Sequence, residues 1–384
     1  MKTKKRNYVC FLFINGPHHV YHLIEPALTF SSKVHGFETL LISGNPVNTK
    51  IIRNAHKMHS KAKFKLIDIA LPLRYSLMKN YKNKVYPPIY TRIDKILREL
   101  ENSVAIISTS HDLPNYLIKR KINGPMLFYL YHGTGTRAYG FEKNLSLFDH
   151  ILIPGSYHKK RLLKEKKCND KKLTIVGQPK FDWIAKNYNY TNQLFDNDNP
   201  TFYYNPHWEL GLSSYFKWQR FILDFFMVNK QWNLIFAPHP LVKHMSSREK
   251  YNIDLDKYNS QSIIVDHESE KLVDGTYNIL SNVYIGDVSS MVTEFLNLKR
   301  RPCIFINAHG INWEEQESYH IWNYGEVVDD NRTFTLAVKN SLKKNRFQEK
   351  QKKYLQDFIH REKKTSSNLC ADHIIKELNF VNEL

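Results

Sequence analysis

Short apolar runs bounded by polar turns recur along this chain, and between them lie stretches with apolar residues every three to four positions. A buried parallel strand reads as a continuous apolar run, whereas a helix lying on a sheet shows a stripe at the helical period. The alternation therefore predicts βα units and a mainly parallel sheet. Residues 8–14, 39–43, 63–69, 104–108, 126–131 and 150–153 are expected as strands of a first lobe, with 173–176 a further one. Helical spacing covers residues 20–30 and 90–102.

The pattern breaks at residues 186–200, KNYNYTNQLFDNDNP, a polar segment without periodicity that ends in proline. Such a segment reads as a linker. Beyond it a second set of strands is expected at 201–204, 233–237, 262–265, 283–285 and 303–306, with helices at 215–229 and 289–299. The simplest architecture is α/β, with two Rossmann-like, doubly wound lobes and a cleft between them. The expected limits are 1–195 for a first lobe, 196–330 for a second and 331–384 for C-terminal helices that pack back. Ligands of such sheets sit at the carboxyl ends of the strands.

At 384 residues two domains are the natural expectation. The four cysteines, Cys10, Cys168, Cys303 and Cys370, are scattered and form no CxxC pair, which points to a reducing compartment and to no zinc motif. No apolar run approaches the ~20 residues that cross a bilayer. The apolar run that opens the chain stops at Asn15-Gly16-Pro17 and is expected as a first strand. The formal net charge of +19 attracts nucleic acid, anionic membrane or phosphorylated substrates, or follows from a lysine- and asparagine-rich composition. No nucleic-acid-binding motif accompanies the charge, so no nucleic-acid partner is expected. Residues 341–364 form a basic amphipathic stretch with Phe347, Tyr354, Leu355, Phe358 and Ile359 on one stripe. It suits either a membrane-surface helix or a helix packed on the protein.

Three segments carry candidate chemistry. In SNVYIGDVSSMVTEFL a buried strand leads through Gly286 to Asp287, Ser289 and Ser290 at a helix start. Free N–H groups and the helix dipole favour a phosphate there, and ordinary capping is the plainer reading. In MLFYLYHGTGTRAYG a strand delivers His132 to its carboxyl end, followed by glycines that let a ligand approach the backbone. That histidine suits a general base or a turn hydrogen bond. In LIFAPHP a third strand ends at His239, fixed between Pro238 and Pro240.

The order HGT, IPGSYHKKRLL, VGQPKFD, YYNPHW, APHP and GDVSSMVTEFL resembles the CDP-glycerol glycerophosphotransferases, which make teichoic-acid and capsule-type polymers on a glycosyltransferase-B architecture. The resemblance runs from about Phe128 to Ile306. It implies that His132 activates the acceptor hydroxyl and that His239 binds the donor's phosphates. It places Asp287, Ser289 and Ser290 on the diphosphate and Gly177, Pro179 and Asp182 along the cleft. Gly133, Thr134, Arg137, Asn205, Pro206 and Pro240 fall on the donor side by the same correspondence. The sequence departs from the family where HGTPLK reads HGTGTR, where DYSS reads DVSS, and where glutamate follows Asn205-Pro206-His207-Trp208 in place of arginine.

The implied reaction is transfer of a glycerol-phosphate or related polyol-phosphate unit from a CDP-activated donor to a hydroxyl of a glycan or lipid-linked acceptor, with release of CMP. A sugar-nucleotide glycosyltransferase is the alternative. Neither a cofactor nor a metal is called for: the Asp-x-Asp triplets at 196–198 and 254–256 lie away from strand ends. The expected location is cytoplasmic, peripheral at the inner face of the membrane on anionic lipid. His18, His19 and His22 follow the first strand and are candidates for the acceptor side.

Overall fold

The computed structural model describes residues 8–69, 89–136, 140–188, 193–244, 254–267 and 269–382. The chain forms two compact units. The first comprises residues 1–132, 141–187 and 357–384, and the second 133–140 and 188–356. The boundary thus falls at Asn187/Tyr188 rather than at 195. Residues 331–384 do not act as one region, because the chain returns to the first unit at Asp357.

Seven parallel strands make the first sheet: β1 (Tyr8–Phe13), β2 (Glu38–Ser43), β3 (Lys65–Asp68), β4 (Ser103–Ser108), β5 (Met126–Leu130), β6 (His150–Ile153) and β7 (Leu173–Ile175), in the order β3-β2-β1-β4-β5-β6-β7. Apolar side chains of β1, β4, β5 and β6 are buried on both faces, which is why these strands read as unbroken apolar runs. The Pro17–Lys33 helix begins with proline, whose fixed φ and missing N–H suit a first turn. It buries Val20, Leu23, Ile24, Ala27 and Leu28. The helix expected at 90–102 is two short ones, Ile89–Ile93 and Leu97–Glu101. Between them the amides of Lys95 and Ile96 bond back three residues, to Arg92 and Ile93, so the turn tightens and the α-helical ladder stops.

Six parallel strands make the second sheet: β8 (Thr201–Asn205), β9 (Asn233–Phe236), β10 (Ile263–Val265), β11 (Val283–Gly286), β12 (Cys303–Ile306) and β13 (Glu326–Val328), in the order β10-β9-β8-β11-β12-β13. β13 was not expected, being only three residues long. Its core joins Phe202, Phe236 and Ile285 to Trp218, Ile222 and Phe226 of the Tyr215–Val228 helix and to Phe334.

Both sheets reverse their strand order once, between β1 and β4 and between β8 and β11. Loops leaving the carboxyl ends of the two strands at such a reversal part from each other and open a crevice there. The apolar stripe of 341–364 is taken up by the protein itself: Tyr354, Leu355, Phe358 and Ile359 are buried and Phe347 is half-buried. Among the described residues no helix is long and apolar enough to cross a membrane.

Candidate functional site

In the second unit the reversal point brings together the ends of β8, β9 and β11. Asn205 closes β8 and donates its side-chain amide to Ala237 O at 2.7 Å, while the His239 amide bonds Pro206 O at 3.0 Å. These bonds clamp the two proline-containing loops to each other. The His207 and His239 rings lie 5.8 Å apart, and Trp208 sits 6.3 Å from His239. Nδ1 of His207 accepts the Glu209 amide at 3.0 Å, and Nδ1 of His239 accepts the Leu241 amide at 3.2 Å. An imidazole nitrogen that accepts carries no proton, so both neutral rings hold theirs on Nε2, as donors.

After β11, Asp287 is fully buried, and its Oδ2 accepts the amides of His207 at 2.7 Å and Ser214 at 3.0 Å. Burial raises its pKa to about 7 against the pull of those two amides. The carboxylate expected on a diphosphate is therefore a brace for the loop after β8. A phosphate would not seek a carboxylate, and the part of this turn whose chemistry suits an anion is the helix start. There Ser289 Oγ accepts the Met291 amide at 3.2 Å, and Ser290 is the N-cap of the Met291–Leu298 helix. Both serines are half-buried.

Residues 133–136 belong to this second unit and lie over that helix start. Thr134 and Thr136 are buried; Thr134 O accepts the Thr293 hydroxyl at 3.3 Å and Thr136 donates to Ser318 O at 2.8 Å. Gly133 and Gly135 face Ser290, where an added Cβ would come within 3.4 and 3.5 Å. Arg137 lies outside the described residues.

In the first unit the reversal point gathers histidines. His132 follows β5, Thr109 and His111 follow β4, and His18, His19 and His22 stand on the helix after β1. The His19 ring lies 3.9 Å from that of His132, His18 lies 4.4 Å from His19, and His22 meets His132 edge-on at 6.4 Å. His19 Nδ1 bonds Thr109 Oγ1 at 2.9 Å, and His22 Nδ1 bonds the buried Gln178 amide at 2.7 Å. Burial first, then the neighbouring histidines, lower the pKa of His132 to about 3, with a hydrogen bond to the Thr109 backbone opposing. Burial also keeps His19 and His22 neutral, joined for His19 by the repulsion two protonated rings would have with His132, and for His22 by Lys180.

The three residues expected along the cleft, Gly177, Pro179 and Asp182, have other surroundings. Gly177 has φ +80°, and a Cβ there would collide with Ser366 Oγ and His360 O. Pro179 is buried beside it. Asp182 Oδ2 accepts the Ser367 amide at 2.7 Å and its hydroxyl at 2.6 Å, which caps the Ser366–Asn382 helix. The segment VGQPKFD thus docks the returning C-terminal chain, while Gln178 hydrogen-bonds His22 and Lys180 acts on the same ring by its charge. Pro240 opens a 3-10 turn after His239 and remains at the candidate site. Sequence reasoning quoted His207 within a motif yet gave it no role. The available signal was an imidazole directly beyond a strand's carboxyl end, as at His239.

No protein-family model matches the sequence, and no curated protein matches it. Solved structures do resemble the fold. The wall teichoic acid polymerase TagF aligns with a TM-score of 0.66 at 16% identity, over 99% of this chain and 91% of that one. A UDP-N-acetylglucosamine 2-epimerase from Listeria monocytogenes, described as putative, gives 0.63 at 12% identity, over 98% and 97%. The epimerase of Methanocaldococcus jannaschii in complex with UDP-GlcNAc and UDP gives 0.62 at 13%, over 97% and 99%. The chain has the two-lobed α/β fold of the glycosyltransferase-B type.

Proposed function

We propose that the chain is a transferase that takes a polyol-phosphate unit, glycerol phosphate in the first instance, from a CDP-activated donor. The observation that carries this reading is the group at the β8/β11 reversal: His207 and His239 with their Nε2 donors, beside the start of the Met291–Leu298 helix. Imidazole donors and open helix N–H groups together suit a diphosphate. The similar polymerase TagF has been solved with CDPG, which favours a CDP donor.

In this reading the acceptor hydroxyl oxygen attacks the donor's β-phosphorus as its proton passes to His132. The bond from that phosphorus to the bridging oxygen breaks, and CMP leaves with its charge against His239 and Ser290. Alignment and charge stabilisation supply most of the rate of such transfers. Burial keeps the His132 lone pair available, and the negative charge of a bound donor offsets the cost of forming its cation. The acceptor is a hydroxyl of a glycan or lipid-linked chain, and the +19 charge favours work on anionic lipid at the inner membrane face.

A second reading has its own support. The epimerase solved with UDP-GlcNAc shares this fold, so a sugar nucleotide fits the same architecture. The reaction is tested by CMP release from CDP-glycerol in the presence of a lipid-linked glycan acceptor. His132→Ala should lower kcat by roughly 100-fold or more, the usual contribution of a general base, while donor affinity stays as in the wild type. An unchanged kcat would remove His132 from the mechanism.

A further inference from the structure

A separate group of side chains lies in the first unit. His150 opens β6, and His373 and Glu377 stand one turn apart on the Ser366–Asn382 helix. His150 Nε2 is 3.8 Å from Glu377 Oε2, and His373 Nδ1 is 3.8 Å from Glu377 Oε1. One ligand atom from each of the three residues can be chosen so that all lie within 4.8 Å of one another. Among the described residues no other histidine, cysteine or carboxylate group meets that condition. A tetrahedral ion with bonds of about 2.1 Å sets its ligands about 3.4 Å apart. The two 3.8 Å separations exceed this by a few tenths of an ångström and run to different oxygens of Glu377, so small side-chain rotations would bring one oxygen, or both, to the ion.

We propose that His150, His373 and Glu377 bind one divalent ion of the zinc type, with solvent as fourth ligand. Two imidazoles and one carboxylate form the donor set that borderline ions such as zinc favour over magnesium or calcium. A second observation points the same way. His373 Nε2 lies 3.3 Å from Thr174 Oγ1, a hydrogen bond that leaves Nδ1, the nitrogen facing Glu377, as the metal-binding atom. Metal-bound histidines are commonly oriented by such a bond through the other ring nitrogen. The His150 ring is held by stacking on Phe128 at 4.7 Å. Lys172 and Lys376 add positive charge nearby, and Asp149 and Glu377 offset it.

The position assigns the ion a structural task. His150 pairs with Phe128 at the amino side of the sheet, the opposite end from His132. The ion would join β6 to the C-terminal helix, which Asp182 caps at its other end. A cavity of about 550 Å³ lined by Met126, Asp149 and His150 gives solvent access.

The test is Co²⁺ titration of the metal-stripped full-length protein, followed by visible absorption and thermal unfolding. One equivalent of Co²⁺ should give the bands of a four-coordinate nitrogen and oxygen site, without a thiolate charge-transfer band, and Zn²⁺ should raise Tm. Glu377→Gln and His150→Ala should abolish this binding, and Thr174→Val should weaken it roughly 10- to 100-fold. His239→Ala should leave it intact. Glu377→Gln is isosteric, so its circular dichroism spectrum should match the wild type. Absence of stoichiometric binding, a thiolate band, or full binding by a folded Glu377→Gln variant would overturn the proposal.

Discussion

The Asp287 carboxylate accepts the backbone amide of His207 at 2.7 Å, across the point where the second sheet reverses its strand order. The same oxygen takes the Ser214 amide at 3.0 Å, so one side chain fixes the loop that carries His207. Asp287→Ala would leave two buried N–H groups without an acceptor, at about 2–4 kcal/mol. Asp287→Asn can present its carbonyl to both. We expect a folded Asp287→Asn protein and a strongly destabilised Asp287→Ala protein, measured by urea unfolding. The pKa of Asp287 is raised to about 7 from an ordinary 3.8. Its protonated form therefore contributes stability that is full below about pH 4 and lost as pH rises through 7. The stability difference between Asp287→Asn and wild type should shift in the variant's favour across that window and level off above it.

The glycines of the two strand-end turns differ in what they tolerate. A Cβ on Gly286 would sit 2.7 Å from Tyr284 OH and 2.9 Å from Asn205 O, backbone that cannot move cheaply. Gly286→Ala should cost about 1–3 kcal/mol as overpacking. On Gly135 the nearest atom is 3.5 Å away, an ordinary contact. Gly135→Ala should therefore unfold like the wild type, and any loss should appear as weaker donor binding in calorimetry.

Much of the fold was legible because the signal is local. Residues 128–130, 234–236 and 283–285 are buried on both faces and so read as apolar runs, and the loops that leave them carry His132, His239 and Ser290. What was missed depends on contacts distant in sequence. Asp182 and Ser367 are brought together only by the returning C-terminal chain, so VGQPKFD resembled a ligand motif while capping a helix. His150 and His373 likewise carry no spacing that reports their proximity. The Asp287 carboxylate was misread for a related reason: a turn sequence does not say which way a side chain points.

That reassignment can be checked. Asp182→Ala should weaken the cap on the Ser366–Asn382 helix by about 1 kcal/mol or more, and Gly177→Ala should be worse because it combines a positive φ with a collision. Limited proteolysis should release the C-terminal helix sooner in both variants. Donor affinity should be unchanged in Asp182→Ala, and a marked loss of affinity would return this residue to the donor site.

His158 gives the protein an acid limb. The ring is fully buried between Phe141, Tyr131 and Phe358, with no hydrogen-bond partner at either nitrogen, and burial lowers its pKa to about 3. The folded state stays neutral while the unfolded chain takes a proton near pH 6.5, so this stability is present above pH 6.5 and lost as pH falls toward 3. At pH 5 the loss is about 2 kcal/mol. His158→Leu should flatten the fall in Tm between pH 6.5 and 5 and should raise stability at neutral pH.

The most direct test of the account is donor binding by the purified protein, followed by calorimetry and thermal shift for CDP-glycerol, CDP-ribitol, CMP and UDP-GlcNAc, with His239→Ala alongside. The account predicts that a CDP-polyol binds and raises Tm, that CMP does so more weakly, and that His239→Ala loses most of the effect. Binding of UDP-GlcNAc with no response to CDP-polyols would contradict the polyol-phosphate reading, and full CDP-glycerol binding by His239→Ala would contradict the site.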